Sequence, residues 1–145
     1  MKSKLITDAA KKTWALIFEK GDEVMAGLKQ FAREKDLSAS QFTAIGAFSD
    51  LTLGYFDLEK KDYKKIPIRE QVEVLSLLGD VTQGESGKKI HAHVVVGKSD
   101  GTAHGGHLVE AHVMPTLEVI LAESPAHLQR KHDLETDLAL IDLAS

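Results

Sequence analysis

The chemistry of this chain is concentrated between His91 and Leu108, a stretch that holds His91, His93, His104 and His107, four of the seven histidines. Imidazoles at this density suit metal ligation or proton transfer. In an extended chain side chains alternate, so His91, His93 and Val95 share one face while Ala92, Val94 and Val96 take the other. The Cα atoms of His91 and His93 then lie roughly 6.5 to 7 Å apart, which lets two rings converge on one ion. Ser99-Asp100-Gly101 supplies turn chemistry, with Gly101 able to take a left-handed conformation in a three-residue hairpin loop. A hairpin centred on Asp100 opposes His93 to His107 and His91 to Val109, and puts all three histidines on one face. A slip of one residue would instead turn His107 away and bring Glu110 beside His91. The competing reading of the same residues is polar side chains on a solvated strand, or histidines packed at a subunit interface. Spacing alone leaves both open.

The remaining candidates carry weaker signals. His104 and His112 fall on the opposite parity and read as interface or surface residues. Glu73 and Glu118 could orient an imidazole or act as a base, but a strand-borne glutamate in an ion pair is the simpler reading. Ser49-Asp50 lacks a Gly-x-Ser-x-Gly elbow and reads as a turn rather than a nucleophile. Gly84 to Lys89 brushes past a phosphate-binding loop, yet Thr82 stands where the first glycine belongs and Lys89 where Ser or Thr belongs, so it is rejected. His127 and His132 carry no assignment.

The elements that must position these residues follow from periodicity. Residues 13–18 are apolar and rich in strand formers, ending in a turn at residues 19–22. Asp22 is placed to cap a helix over residues 23–36, whose Val24, Leu28, Phe31 and Ala32 form one buried stripe. Residues 41–57 read as one long extended segment or as two strands meeting at Ser49-Asp50, with Gly46 and Gly54 marking bends or bulges. Residues 57–65, with Lys60, Lys61, Lys64 and Lys65, read as a charged turn. Residues 72–81 form the next strand, the histidine hairpin follows, and after Pro115 residues 117–121 form a last strand. The segment after Pro125 has an alternating or helical set of Leu134, Leu138, Leu140, Ile141 and Leu143.

Composition excludes several functions. At 145 residues, with 43% hydrophobic and 28% charged residues, the chain suits one globular domain with its own core. It has no cysteine, so thiolate catalysis and Cys-type zinc sites are out, and a metal must be held by His, carboxylate or backbone oxygen. A net charge of -4 and a pI near 6.0 argue against the broad basic surface of a dedicated nucleic-acid binder. Neither a secretory h-region nor a run of about 18 apolar residues is found, so no membrane partner and a cytoplasmic location are expected.

Five blocks in order identify a resemblance: Ile45-Gly46-Ala47-Phe48-Ser49-Asp50-Leu51-Thr52-Leu53-Gly54-Tyr55-Phe56, Glu73 to Gly79, His91-Ala92-His93, Gly105-Gly106-His107-Leu108, and Glu118-Val119. Over roughly residues 13–122 the chain resembles the PPC domain, the plant and prokaryote conserved domain, in its stand-alone prokaryotic form. The resemblance implies a single domain over residues 1–145, with residues 123–145 as a C-terminal tail. It implies an α/β fold of the α+β type, a mainly antiparallel sheet with one principal helix, assembling as a homotrimer. It also implies a metal site at His91, His93 and His107, with zinc as the metal. Three imidazoles would leave one tetrahedral position open, as in catalytic zinc sites. The expectation is therefore a zinc-binding homotrimer that binds or hydrolyses a small molecule, of a reaction the resemblance does not fix. The alternative is a non-enzymatic regulatory or DNA-associated module, related to the plant proteins that join this domain to AT-hooks. The chain has no such hook, so DNA is not expected as a partner.

Overall fold

A computed structural model describes residues 1–8, 12–124 and 127–143. Glycines, prolines and charged turns cut the described residues into nine strands and one helix, and the strands join one sheet that is almost wholly antiparallel. The fold is thus α/β of the α+β type, with a mainly antiparallel sheet and one helix, as the sequence implies.

β1 (Lys2–Asp8) pairs with β2 (Lys12–Glu19), which pairs with the C-terminal half of β7 (Ala103–Glu123). β7 lies beside β3 (Ala39–Asp57), and β3 beside β5 (Val72–Gly84), with β4 (Asp62–Ile68) along the C-terminal half of β3. β6 (Gly87–Gly97) pairs with both β5 and β7, so the ladder β3–β5–β6–β7 returns to β3 and closes on itself. Alternation along these strands sends Leu77, Val81, Ala92, Val94 and Val96 inward, each 1% exposed or less. Their neighbours Leu78, Asp80, His91, His93 and Val95 point the other way.

The helix α1 (Val24–Glu34) fills the interior against β6 and β7. Its stripe of Val24, Leu28, Phe31 and Ala32 is buried as the spacing predicts. The cap is Glu23, however, whose carboxylate accepts from the backbone N–H of Met25 and Ala26 at 3.0 and 2.6 Å. Asp22 closes the preceding turn instead, accepting from the Glu19 N–H at 3.0 Å. The interior side chains are large: Phe18, Phe31, Phe42 and Phe48 are all fully buried, each worth roughly 1.5–3 kcal/mol.

Two local readings left open are decided and two change. Residues 39–57 are one strand, and Ser49-Asp50 lies inside it, because register shifts around Phe48 absorb the bend that a turn would otherwise supply. The strand after Pro115 is not separate: β7 runs through the proline where Gly46 pairs with Leu117 and Phe48 with Val113. Met114, Pro115 and Thr116 have no partner on β3, so the missing N–H of Pro115 breaks no bond between those strands. Of the charged turn, Lys64 and Lys65 belong to β4, paired with Tyr55 and Gly54. The tail forms β8 (Gln129–His132) and β9 (Ala139–Asp142), with β8 parallel to β5 at Gln83 and Gln129. Leu134 and Leu143 are each 85% exposed, so the leucines of the tail are not a buried stripe. Among the described residues no helix is long and apolar enough to cross a membrane.

Candidate metal centre

The hairpin between β6 and β7 has the register that the turn residues imply. Gly101 has φ 82°, its N–H donates to the Lys98 carbonyl at 2.9 Å, and Asp100 accepts from the Thr102 N–H and hydroxyl. His93 therefore lies opposite His107. The expected pair of His91 with Val109 does not form: the β6–β7 ladder ends at His93, and β7 continues on β3, with His107 beside Gly54 and Leu108 beside Leu53. Even so, one ligand nitrogen from each of His91, His93 and His107 lies within 4.8 Å of the others.

The geometry fits a small ion. Nε2 of His91 and Nε2 of His93 are 3.1 Å apart. Two nitrogens each about 2.0–2.1 Å from a tetrahedral zinc lie roughly 3.3 Å apart. The His93 ring stands perpendicular to the other two, at 87° to His91 and 90° to His107. His107 is packed on its outer side by Tyr63 of β4, ring centroids 4.9 Å apart. Gly54 makes room for that tyrosine, since a Cβ there would sit 2.8 Å from the ring.

The electrostatics favour neutral ligands. Burial, reinforced by the neighbouring His91 and His93, pushes His107 down to about 4. Burial and then His91 lower His93 as well. Both rings are neutral at neutral pH, each with one N–H and one lone pair, the state in which an imidazole can bind a metal. Nδ1 of His107 is buried without a hydrogen-bond partner, a cost of about 1–3 kcal/mol that a coordinate bond at this atom would remove.

Behind the three histidines stands a carboxylate that sequence reasoning missed. Asp80 pairs with His91 across β5 and β6, and its Oδ2 lies 3.7 Å from His91 Nδ1, on the far side of the ring from His93. Burial pushes the Asp80 carboxyl up, but His91 and Arg130 beside it outweigh that and hold it below its ordinary value. The signal was present in the sequence: a tight hairpin at Glu85-Ser86 puts Asp80 opposite His91. Glu73 instead pairs with Gly97, at the other end of the β5–β6 ladder, and Glu118 lies on β7 opposite Ile45. His104 is exposed opposite Val96, and His112 forms an ion pair with Asp50, Nδ1 to Oδ1 3.0 Å.

Beside His93 the outer sheet face is apolar. Leu78, its cross-strand partner, lines a groove of about 450 Å³ with Thr43, Ile45, Leu75 and Ile120. Ile45, Leu75, Leu78 and Ile120 are 61, 55, 56 and 48% exposed.

Residues 6–125 match the family model of the Plants and Prokaryotes Conserved (PCC) domain. The fold is shared with a plant- and prokaryote-conserved (PPC) protein of Pyrococcus horikoshii, 31% identical, with a TM-score of 0.84 over 97% of this chain and 94% of that one. A metal-containing protein of Archaeoglobus fulgidus is 34% identical, TM-score 0.83, over 97% of this chain and 99% of that one. A candidate DNA-binding protein of Bacteroides thetaiotaomicron is 25% identical, TM-score 0.89, over 99% of each. A curated relative, the bifunctional protein GlmU of Synechococcus sp. (strain JA-3-3Ab), is 31% identical over 106 residues. That match takes in 72% of this chain and spans 16% of the length of GlmU.

Proposed function

The chain belongs to the Plants and Prokaryotes Conserved domain family, and from that premise we propose that it is a homotrimeric zinc-binding member whose His91, His93 and His107 hold the ion. The observation that carries this reading is the convergence of the three ligand nitrogens within 4.8 Å. The metal-containing relative from Archaeoglobus fulgidus supports it. Three neutral imidazoles add no charge, so a bound divalent ion keeps its full positive charge and attracts an anionic or carbonyl oxygen. Zinc in such a site supplies a Lewis acid that polarises a carbonyl or phosphoryl group and lowers the pKa of water. The protein's own part is to hold three rings in fixed directions, two of them kept neutral by burial, with Tyr63 walling one side. Its ligand is accordingly a small anionic or carbonyl compound, bound or hydrolysed.

The apolar face beside the centre supports self-association. Ile45, Leu75, Leu78 and Ile120 together make a contiguous exposed patch of the kind that marks an interface, and in this reading it is covered by neighbouring copies. Titrating the metal-free protein with Co²⁺ tests the centre: intense tetrahedral ligand-field bands at one equivalent per chain support it, and weak octahedral absorption contradicts it.

A regulatory, DNA-associated role is the second reading, favoured by the candidate DNA-binding relative. The net charge of -4 weighs against it. Submicromolar DNA affinity at about 0.15 M salt would reverse that order.

A further inference from the structure

We propose that Arg130, in the C-terminal segment, is a positioning residue for the three-histidine centre and acts through Asp80; the inference rests on the metal reading above. Arg130 lies beyond the residues 6–125 that match the family model. The chain nevertheless returns it to the site. Gln83 N–H donates to the Leu128 carbonyl at 2.9 Å, Leu128 N–H donates to the Ser38 carbonyl at 3.2 Å, and β8 then runs parallel to β5.

There the guanidinium is engaged on three sides. Nε donates to the Thr82 hydroxyl at 2.9 Å, Nη1 to the Ala139 carbonyl at 2.9 Å, and Nη2 to both Asp80 oxygens at 2.9 and 3.0 Å. Only 9% of the Arg130 side chain is exposed, against 29% for Asp80. Asp80 and Thr82 are two apart on β5 and share a face, so one planar group bridges both. A lysine has a single nitrogen and cannot make this set of contacts.

The consequence reaches His91. Metal-binding imidazoles are oriented by a partner on the nitrogen that does not bind the ion, and losing that partner weakens metal affinity by about 10–100-fold. His91 is set up for this arrangement: its Nε2 faces His93, and Asp80 Oδ2 stands 3.7 Å from its Nδ1, an ion-pair distance longer than a hydrogen bond. A carboxylate without Arg130 would rotate toward water. With both its oxygens tied to Nη2, Oδ2 stays facing the ring.

The test measures zinc affinity by chelator competition, together with the Co²⁺ spectrum, in the full chain. Arg130→Gln and Arg130→Lys are both expected to bind zinc about tenfold more weakly than wild type and to shift the cobalt bands. Arg130→Gln is expected to add no further loss on an Asp80→Asn background. Wild-type affinity and an unmoved spectrum in the Arg130 variants would overturn the inference, as would recovery by lysine or an equal loss in the Asp80→Asn background. If Arg130→Gln does not fold, Arg130→Lys carries the same outcomes. If Asp80→Asn does not fold, the spectra of the Arg130 variants decide. A wild type that takes up no zinc or cobalt overturns the centre itself, and is thereby distinguished from a wild type that binds while Arg130 is indifferent.

Discussion

His107 is the most constrained of the three imidazoles, packed on one side by Tyr63 and facing two other rings. Its value of about 4 against an ordinary 6.5 means that between those pH values the unfolded chain binds a proton that the folded chain refuses. Its contribution to stability is therefore fully present above about pH 6.5 and is lost as pH falls through about 4. His93, lowered by burial, acts with the same sign. His112 acts with the opposite sign: the hydrogen bond to Asp50 raises it, so its contribution is complete below about pH 6.5 and is lost as pH rises through the raised value. In the metal-free protein, NMR titration should find the His107 ring still neutral at pH 5; a midpoint near 6.5 would contradict the burial argument. The pairing of His93 with His107 was legible because Ser99-Asp100-Gly101 specifies a turn that fixes register. Asp80 could be reached only by tracing a second hairpin, and Arg130 not at all, since a single parallel pairing of β8 on β5 leaves no pattern in the sequence.

Elements hold these residues through close backbone approaches. At Gly79, on β5 beside Asp80, a Cβ would meet the Phe42 ring and come within 2.6 Å of the His91 carbonyl oxygen. Gly79→Ala should cost about 1–3 kcal/mol in urea unfolding, because the neighbour to be displaced is backbone as well as a ring. A null effect would mean that β5 and β6 are less tightly apposed. The helix depends on Glu23 in a similar way. Glu23→Ala removes acceptors from Met25, Ala26 and Ala111, and should lower stability by about 1–2 kcal/mol, a fall of several degrees in Tm. A loss confined to Asp22→Ala would restore the cap that the sequence suggests. That suggestion failed because aspartate is the better cap on average, whereas here the chain turns one residue later. The stripe of α1 was readable, since its 3.6-residue period survives any choice of cap. The single long segment of β3 was one of the two readings left open, whereas the length of β7 was not legible, because an irregular register lets the strand pass Pro115, where local chemistry says stop.

At the scale of the whole molecule, a sheet that closes on its own core has an outer face that carries both the histidines and an apolar patch. Ile45→Glu puts a charge in that patch, on β3 where it pairs with Glu118, away from Gly54, which pairs with His107. In the homotrimer reading, light scattering on wild type gives three times the 15.8 kDa chain mass and Ile45→Glu shifts it to the monomer. A monomeric wild type would leave the patch needing another partner. The centre itself is tested most directly by metal content per chain, measured by elemental mass spectrometry on tag-free wild type and His93→Ala. Near-stoichiometric zinc in the wild type and its loss in the variant is the expected result; little metal in both, or equal metal in both, would contradict a centre built from His91, His93 and His107.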